Sequence, residues 1–234
     1  MTSDSDKSEP EYLRSYGRRQ GKKLRPGRER LMAELLPKIK VEPGQPILDQ
    51  FGADKRAIWM EIGFGAGEHL AMQAQAHPNV GLIGCEPFVN GVAKLLSKID
   101  ENNIQNIRIH ADDARDIFPD IPEGGLGRIF ILFPDPWPKT KHHKRRLIQP
   151  RLLDDLSRLL EDGGELLFAS DHMGYVRWTL AMILKHPDFE WVCEGPEDWR
   201  NPPDDWIKTR YEQKALAGDV MVYLRFRRKP RSLI

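Results

Sequence analysis

The sequence predicts an α/β protein: a doubly wound, mostly parallel sheet with helices on both faces and a last antiparallel strand. Three observations predict it. Short apolar runs alternate with helix-length segments, a glycine-rich loop follows the first folded run, and carboxylates stand at or just after the ends of successive runs. In open sheets of this kind, ligands gather beyond the carboxyl ends of the strands.

At 234 residues the chain fits one domain with modest extensions. Residues 1–45 read as a basic arm with a short helix over 28–36 that ends at Pro37. Low hydrophobicity and dense charge predict that residues 1–27 are disordered or weakly ordered when free. Residues 46–234 read as a single domain, entered through a proline linker at 43–46. Its strands are predicted over 57–62, 81–86, 106–110, 127–133 and 165–169. Helices are predicted over 68–76, over 87–99 with Pro87 in the first turn, where a missing N–H costs nothing, and over 152–160, stopped by Gly163 and Gly164. Asp171 is placed to cap a helix running towards Pro187. Two last strands follow over 189–193 and 219–226, the second alternating apolar and polar residues as an edge or antiparallel strand does.

Hydrophobic residues make up 40% and charged residues 30%, the balance of a folded soluble protein. No apolar run approaches the ~18 residues of a spanning helix, and residues 1–12 lack the apolar core of a secretory signal. The two cysteines, Cys85 and Cys193, read as reduced core thiols, which points to the cytoplasm. Net charge is only +1, yet cations cluster at 14–30, 139–146 and 225–231 while acids cluster at 194–205. Such a dipolar surface can engage a polyanion on one side.

The loop EIGFGAGE supplies Gly63, Gly65 and Gly67, which let the backbone turn sharply and approach a ligand. Glu68 stands where a dinucleotide fingerprint needs a small residue, and an anion there opposes a pyrophosphate at the helix N-terminus. Glu61, Glu86, Asp113 and Asp135 fall at strand ends. That acidic rim suits a cationic ligand with a ribose and an amino group, and S-adenosyl-L-methionine is such a ligand. Glu86 is expected at the ribose hydroxyls, Asp113 or Asp112 at the adenine amine, and Glu61 at the glycine loop or the methionine end.

The stretch FPDPWPKTKHHKRRL joins a rigid acid to a cationic loop. Pro134, Pro136 and Pro138 stiffen the backbone around Asp135 and Trp137, and Lys139, Lys141, Lys144, Arg145 and Arg146 follow with His142 and His143 among them. The cations are expected on phosphates, and the two histidines as polar interface residues, with no Cys/His spacing suited to a metal. Trp137 either stacks on an extruded base or packs as a core residue. Trp59, Trp178, Trp191, Trp199 and Trp206 read as packing residues, and the acidic loop over 195–212 as a candidate lid.

EIGFGAGEHL, PDPWPKTKHHKRRL, the Ser170–Asp171 pair and TRYE at 209–212 together resemble the bacterial tRNA (guanine-N7-)-methyltransferases, over about residues 14–228. The resemblance implies a Rossmann-like class I S-adenosylmethionine-dependent methyltransferase. Such an enzyme methylates N7 of a guanine in the variable loop of tRNA (position 46), with tRNA as partner and a monomeric or homodimeric state. It implies cofactor contacts from Glu61, Glu86, Asp113 and Asp135, with Asp135 also catalytic, and substrate contacts from Lys139, Asp171, Thr209, Arg210, Tyr211 and Glu212. The family usually carries Lys where Arg210 stands. Guanine N7 has a lone pair and no proton to lose, so in-line attack needs no base and no metal. Asp135, with Asp171, is then expected to orient the purine and to stabilise the positive charge it acquires. Competing readings are a non-catalytic RNA-binding module on the same fold, a methyltransferase for protein or small molecules, and, last, a nicotinamide-dependent dehydrogenase.

Overall fold

The structure, a computed structural model, describes residues 16–52, 55–206, 208, 212 and 220–232. Seven strands form one sheet: β1 (Ala57–Ile62), β2 (Val80–Cys85), β3 (Ile107–His110), β4 (Leu126–Leu132), β5 (Leu160–Ser170), β6 (Phe189–Trp191) and β7 (Val222–Arg228). Their order is β3-β2-β1-β4-β5-β7-β6. The first five are mutually parallel, and β7 runs antiparallel between β5 and β6. The alternating strand is therefore antiparallel but not an edge, because β6 covers it. The sheet reverses its winding at β1, which lies between β2 and β4, so a crevice opens beyond their carboxyl ends.

Helices α3 (Glu68–Ala76) and α4 (Val89–Asn102) pack on one face. There Leu70, Leu95 and Leu96 close a core with Leu82 and Ile109. On the other face α5 (Pro150–Leu159) and α6 (Met173–Ile183) seal the larger core around Met60, Ile131 and Phe168. Alternation along β4 and β5 sends Phe130, Leu132 and Leu167 back to the α3 side, where a smaller cluster forms with Trp59, Tyr223 and Trp206. Among the described residues no helix is long and apolar enough to cross a membrane.

Local differences from the sequence reading have physical causes. The predicted first helix is two: α1 (Pro26–Glu34) and α2 (Leu36–Ile39). Pro37 sits in the first turn of α2, where its fixed φ starts a helix, rather than ending α1. Strand β5 begins at Leu160 and runs through Gly163 and Gly164, which lie in a register shift between the Leu126–Leu160 and Arg128–Glu165 pairs. The cap of α6 is His172, whose Nδ1 accepts from the Tyr175 N–H at 3.2 Å, and not Asp171. β5 extends to Ser170, whose Oγ accepts from the His172 N–H, so the turn into the helix falls one residue later than expected. Helix α4 begins at Val89 with Phe88 as its N-cap, so Pro87 precedes the helix instead of lying in its first turn, and the helix closes on Asn103 in the left-handed region (φ 51°).

Candidate active site

The glycine loop adopts the backbone that its sequence demands. Gly63, Gly65 and Gly67 have φ of 77°, 57° and 71°, a region in which a side chain would be strained. Gly67 starts α3 and rests against Leu95, so a Cβ there would lie 2.7 Å from the leucine Cδ1. Glu86, just past β2, holds this loop from the neighbouring strand: Oε2 accepts from the Gly65 N–H at 2.7 Å and Oε1 from the Phe88 N–H at 2.9 Å. Burial raises the Glu86 carboxyl above its ordinary value, against the two backbone donors that lower it. The sequence reading missed Gly91, in the first turn of α4. A Cβ at Gly91 would fall 2.2 Å from the Gly65 carbonyl oxygen, so this glycine is what lets α4 sit against the loop.

Beyond β1, β2 and β4 lies a cleft of about 590 Å³, a volume suited to a nucleoside-sized ligand. Gly63, Gly65, Glu86, Asp112, Asp113 and Asp135 all line it. Glu61 does not. It is the penultimate residue of β1 and turns towards α3, buried, with Oε2 2.8 Å from His69 Nδ1. Asp113 caps the 3-10 turn over Ala114–Asp120 and pairs with Arg115. Burial works to raise its carboxyl, and the bonds from Arg115 overcome this and hold it below the usual range. Asp112 turns to Arg19, 2.6 Å away, and the hydrogen bond from that guanidinium lowers it. The arm thus joins the site: Tyr16, Gly17 and Arg18 form part of the cleft wall. The arm is fixed by the Val89 N–H donating to Arg19 O and by Asn90, which bridges Gly21 and Lys22.

The loop after β4 is bent at both ends. Phe133 (φ 49°) and Trp137 (φ 43°) occupy the left-handed region, which costs a non-glycine residue about 1–3 kcal/mol. Asp135 stands exposed between them at the mouth of the cleft. Arg146 holds the loop in place. It is only 3% exposed, donates Nε–H to Pro136 O at 2.9 Å and Nη1–H to Gly174 O at 3.2 Å, and lies over Tyr175 and Trp178. Arg146, expected among the phosphate-facing cations, is thus a buried brace of this loop. Arg145 lies between two rings, 4.6 Å from the centroid of Tyr16 and 5.0 Å from that of Trp137. Trp137 is half-buried, with His142 edge-on to it. Partial desolvation and then the cations Arg145 and Lys141 lower the His142 pKa, which favours the neutral ring at pH 7.

Lys139, Lys141 and Lys144 are exposed on the same turn, and His143 packs edge-on to Trp178. Asp171 is half-buried directly after β5. Thr209, Arg210 and Tyr211 lie outside the described residues. Glu212 is buried, accepting from the Trp206 Nε1–H at 3.1 Å and from the Tyr223 hydroxyl at 2.7 Å.

The fold and the sequence both have counterparts among known proteins. Residues 55–224 match the family described as "Putative methyltransferase". Among solved structures, the fold is similar to that of the 16S rRNA methyltransferase KamB (TM-score 0.55, 13% identity, 81% of this chain and 95% of that one). It is also similar to that of a precorrin-6y C5,15-methyltransferase from Geobacter metallireducens (TM-score 0.52, 14% identity, 90% and 94%). In sequence, the chain is 54% identical over 231 residues to a tRNA (guanine-N(7)-)-methyltransferase of Rhodospirillum rubrum, covering 95% of this chain and 90% of the relative. It is 45% identical to that of Zymomonas mobilis, covering 97% of this chain and all of the relative. The similarity runs at about half identity over nearly the whole of such relatives, and the chain belongs to the tRNA (guanine-N7-)-methyltransferase family.

Proposed function

We propose that the guanine this protein methylates at N7 lies in the variable loop of tRNA, and that Asp135 is the group that orients and stabilises it. When bound, S-adenosylmethionine supplies the methyl group, and the residues lining the cleft fit it. Glu86, fixed by two backbone donors, suits the ribose hydroxyls, and Asp113, turned inwards beside Arg115, suits the adenine amine. Gly63 and Gly65 leave open space where a side chain would stand.

The observation that carries the reading is the position of Asp135. Two strained residues hold it at the cleft mouth, and the turn that follows presents Lys139, Lys141 and Lys144 to solvent. A phosphate backbone on those cations brings a base to Asp135. N7 loses no proton on methylation, so the carboxylate acts on the positive charge that the purine acquires, or on its N1 and N2 hydrogens, and takes up no proton from N7. Lys139 and Asp171 are assigned to tRNA at this mouth, the family's TRYE residues 209–212 to tRNA contact by resemblance alone, and the basic arm to its phosphates.

Methylating unmodified tRNA and cleaving at N7-methylguanine tests the reading. The expected result is one cleavage, in the variable loop. Cleavage elsewhere would overturn the site assignment, and no cleavage would overturn the role of the cleft.

A further inference from the structure

Strands β4 and β5 end side by side, with Leu132 opposite Ala169. The chain leaves them in two loops: the first carries Asp135, and the second, between β5 and α6, carries Asp171. Neither acid stands on a strand or a helix, so their relative placement depends on what joins the loops. The first loop is pinned at its start, where the Phe133 N–H donates to Ala169 O at 2.8 Å. Further on, Pro134, Pro136 and Pro138 have no N–H to give, so carbonyls must hold it.

Arg146 spans the two loops. Its Nε–H reaches Pro136 O, one residue past Asp135, and its Nη1–H reaches Gly174 O, in the first turn of α6. The guanidinium lies 5.1 Å from the centroid of Tyr175 and 5.3 Å from that of Trp178. Those rings are fixed in turn: the Tyr175 hydroxyl accepts from the Ile148 N–H at 3.2 Å, and the Trp178 Nε1–H donates to Ile148 O at 2.7 Å. Burying a charge is costly, and an apolar side chain of similar volume is often as good for stability or better. What an apolar side chain cannot do is bind carbonyls of two loops at once, which the planar fork of an arginine does.

We propose that Arg146 is a positioning residue for methyl transfer: it fixes the Asp135 carboxylate relative to Asp171 across the mouth of the cleft, acting through backbone carbonyls and not by contact with the guanine. The proposal rests on the reading that Asp135 acts on the guanine. The backbone of Arg146 also closes the cationic turn, its N–H donating to His143 O at 3.0 Å, so the same residue sets the exposed lysines against the acid.

The test uses the full chain, unmodified total tRNA and saturating S-adenosylmethionine. It reads the single-turnover rate, the affinity for tRNA and, by calorimetry, the affinity for the cofactor. Arg146→Ala is expected to slow the reaction roughly tenfold or more at saturating tRNA, with both affinities within about twofold of wild type. Guanidinium chloride at tens of millimolar should restore part of the lost rate by occupying the space beside Tyr175 and Trp178, and sodium chloride at the same concentration should not. That rescue separates positioning from unfolding, because guanidinium weakens a fold. Arg146→Lys keeps the charge, loses the fork and should fall between the two; it carries the comparison if the alanine variant does not fold. Adding Arg146→Ala to Asp135→Asn should cause no further slowing. With Asp135→Asn slow, a wild-type rate in either Arg146 variant, a loss confined to tRNA affinity, or a lack of rescue would overturn the proposal alone. A full rate in Asp135→Asn would overturn the reading of Asp135 and the proposal with it.

Discussion

Asp135 stands where the chain is least relaxed, between Phe133 and Trp137 with positive φ, and Arg146 ties down the carbonyl next to it. Replacing Asp135 with Asn keeps the shape and removes the charge, so single-turnover methylation should slow by roughly 10²–10³-fold. Full turnover by Asp135→Asn would show that no charge is needed there. At Glu86, burial raises the carboxyl, so its proton binds at a higher pH than the ~4.3 of an ordinary glutamate. If the ionised form holds the ribose, cofactor affinity should decline on acidification from above that value, and Glu86→Gln should be weak and flat across the range. The effect on folding has the opposite sign. A raised native pKa means that the native state binds the extra proton, so the contribution of Glu86 to stability is lost as pH rises through that pKa. What the sequence could not tell at this scale was direction. Glu61 lies inside β1 and turns to His69, whereas Glu86 lies just past β2 and holds the glycine loop, and the strand pattern names neither partner.

At the scale of elements, the loop and α4 fit because two glycines allow it. Gly91→Ala would drive a methyl group into the Gly65 carbonyl, a backbone atom that cannot swing aside. The expected outcome is a folded protein with a displaced α4, a loss of about 1–3 kcal/mol in melting experiments and a larger proportional loss of cofactor affinity. Wild-type affinity in Gly91→Ala would mean that the loop has slack. Most elements were legible because their boundaries carry local chemistry: β1 and α3 run over the residues expected, between an apolar hexamer, three glycines and a proline. The misplaced boundaries depended on distant partners. Leu160 joins β5 because Leu126 of β4 pairs with it, and Asp171 lost the cap because Ser170 is held in the sheet opposite Val222.

Across the whole molecule, the charge run 139–146 divides between different environments. Lys139, Lys141 and Lys144 face solvent, Arg145 lies between Tyr16 and Trp137, and Arg146 is internal. The triple variant Lys141→Ala, Lys144→Ala, Arg145→Ala should flatten the slope of log affinity for tRNA against log salt by roughly 0.7–0.9 for each phosphate that is no longer neutralised. Arg146→Ala should leave that slope alone and lower the melting temperature, since it strips two carbonyls of their donor. An equal slope change in both would put Arg146 on the RNA. Nothing in the sequence separates Arg145 from Arg146, because the rings that bury the second belong to α6.

The place of β7 also matters for the order in which the molecule can be made. β6 ends at Trp191 and has β7 as its sheet neighbour, and β7 begins only at Val222. While a ribosome is still adding the residues between them, β5 has an unpaired backbone edge and β6 has no sheet to join. During that interval the nascent chain carries an open template for wrong pairing, and it ends when β7 enters between them.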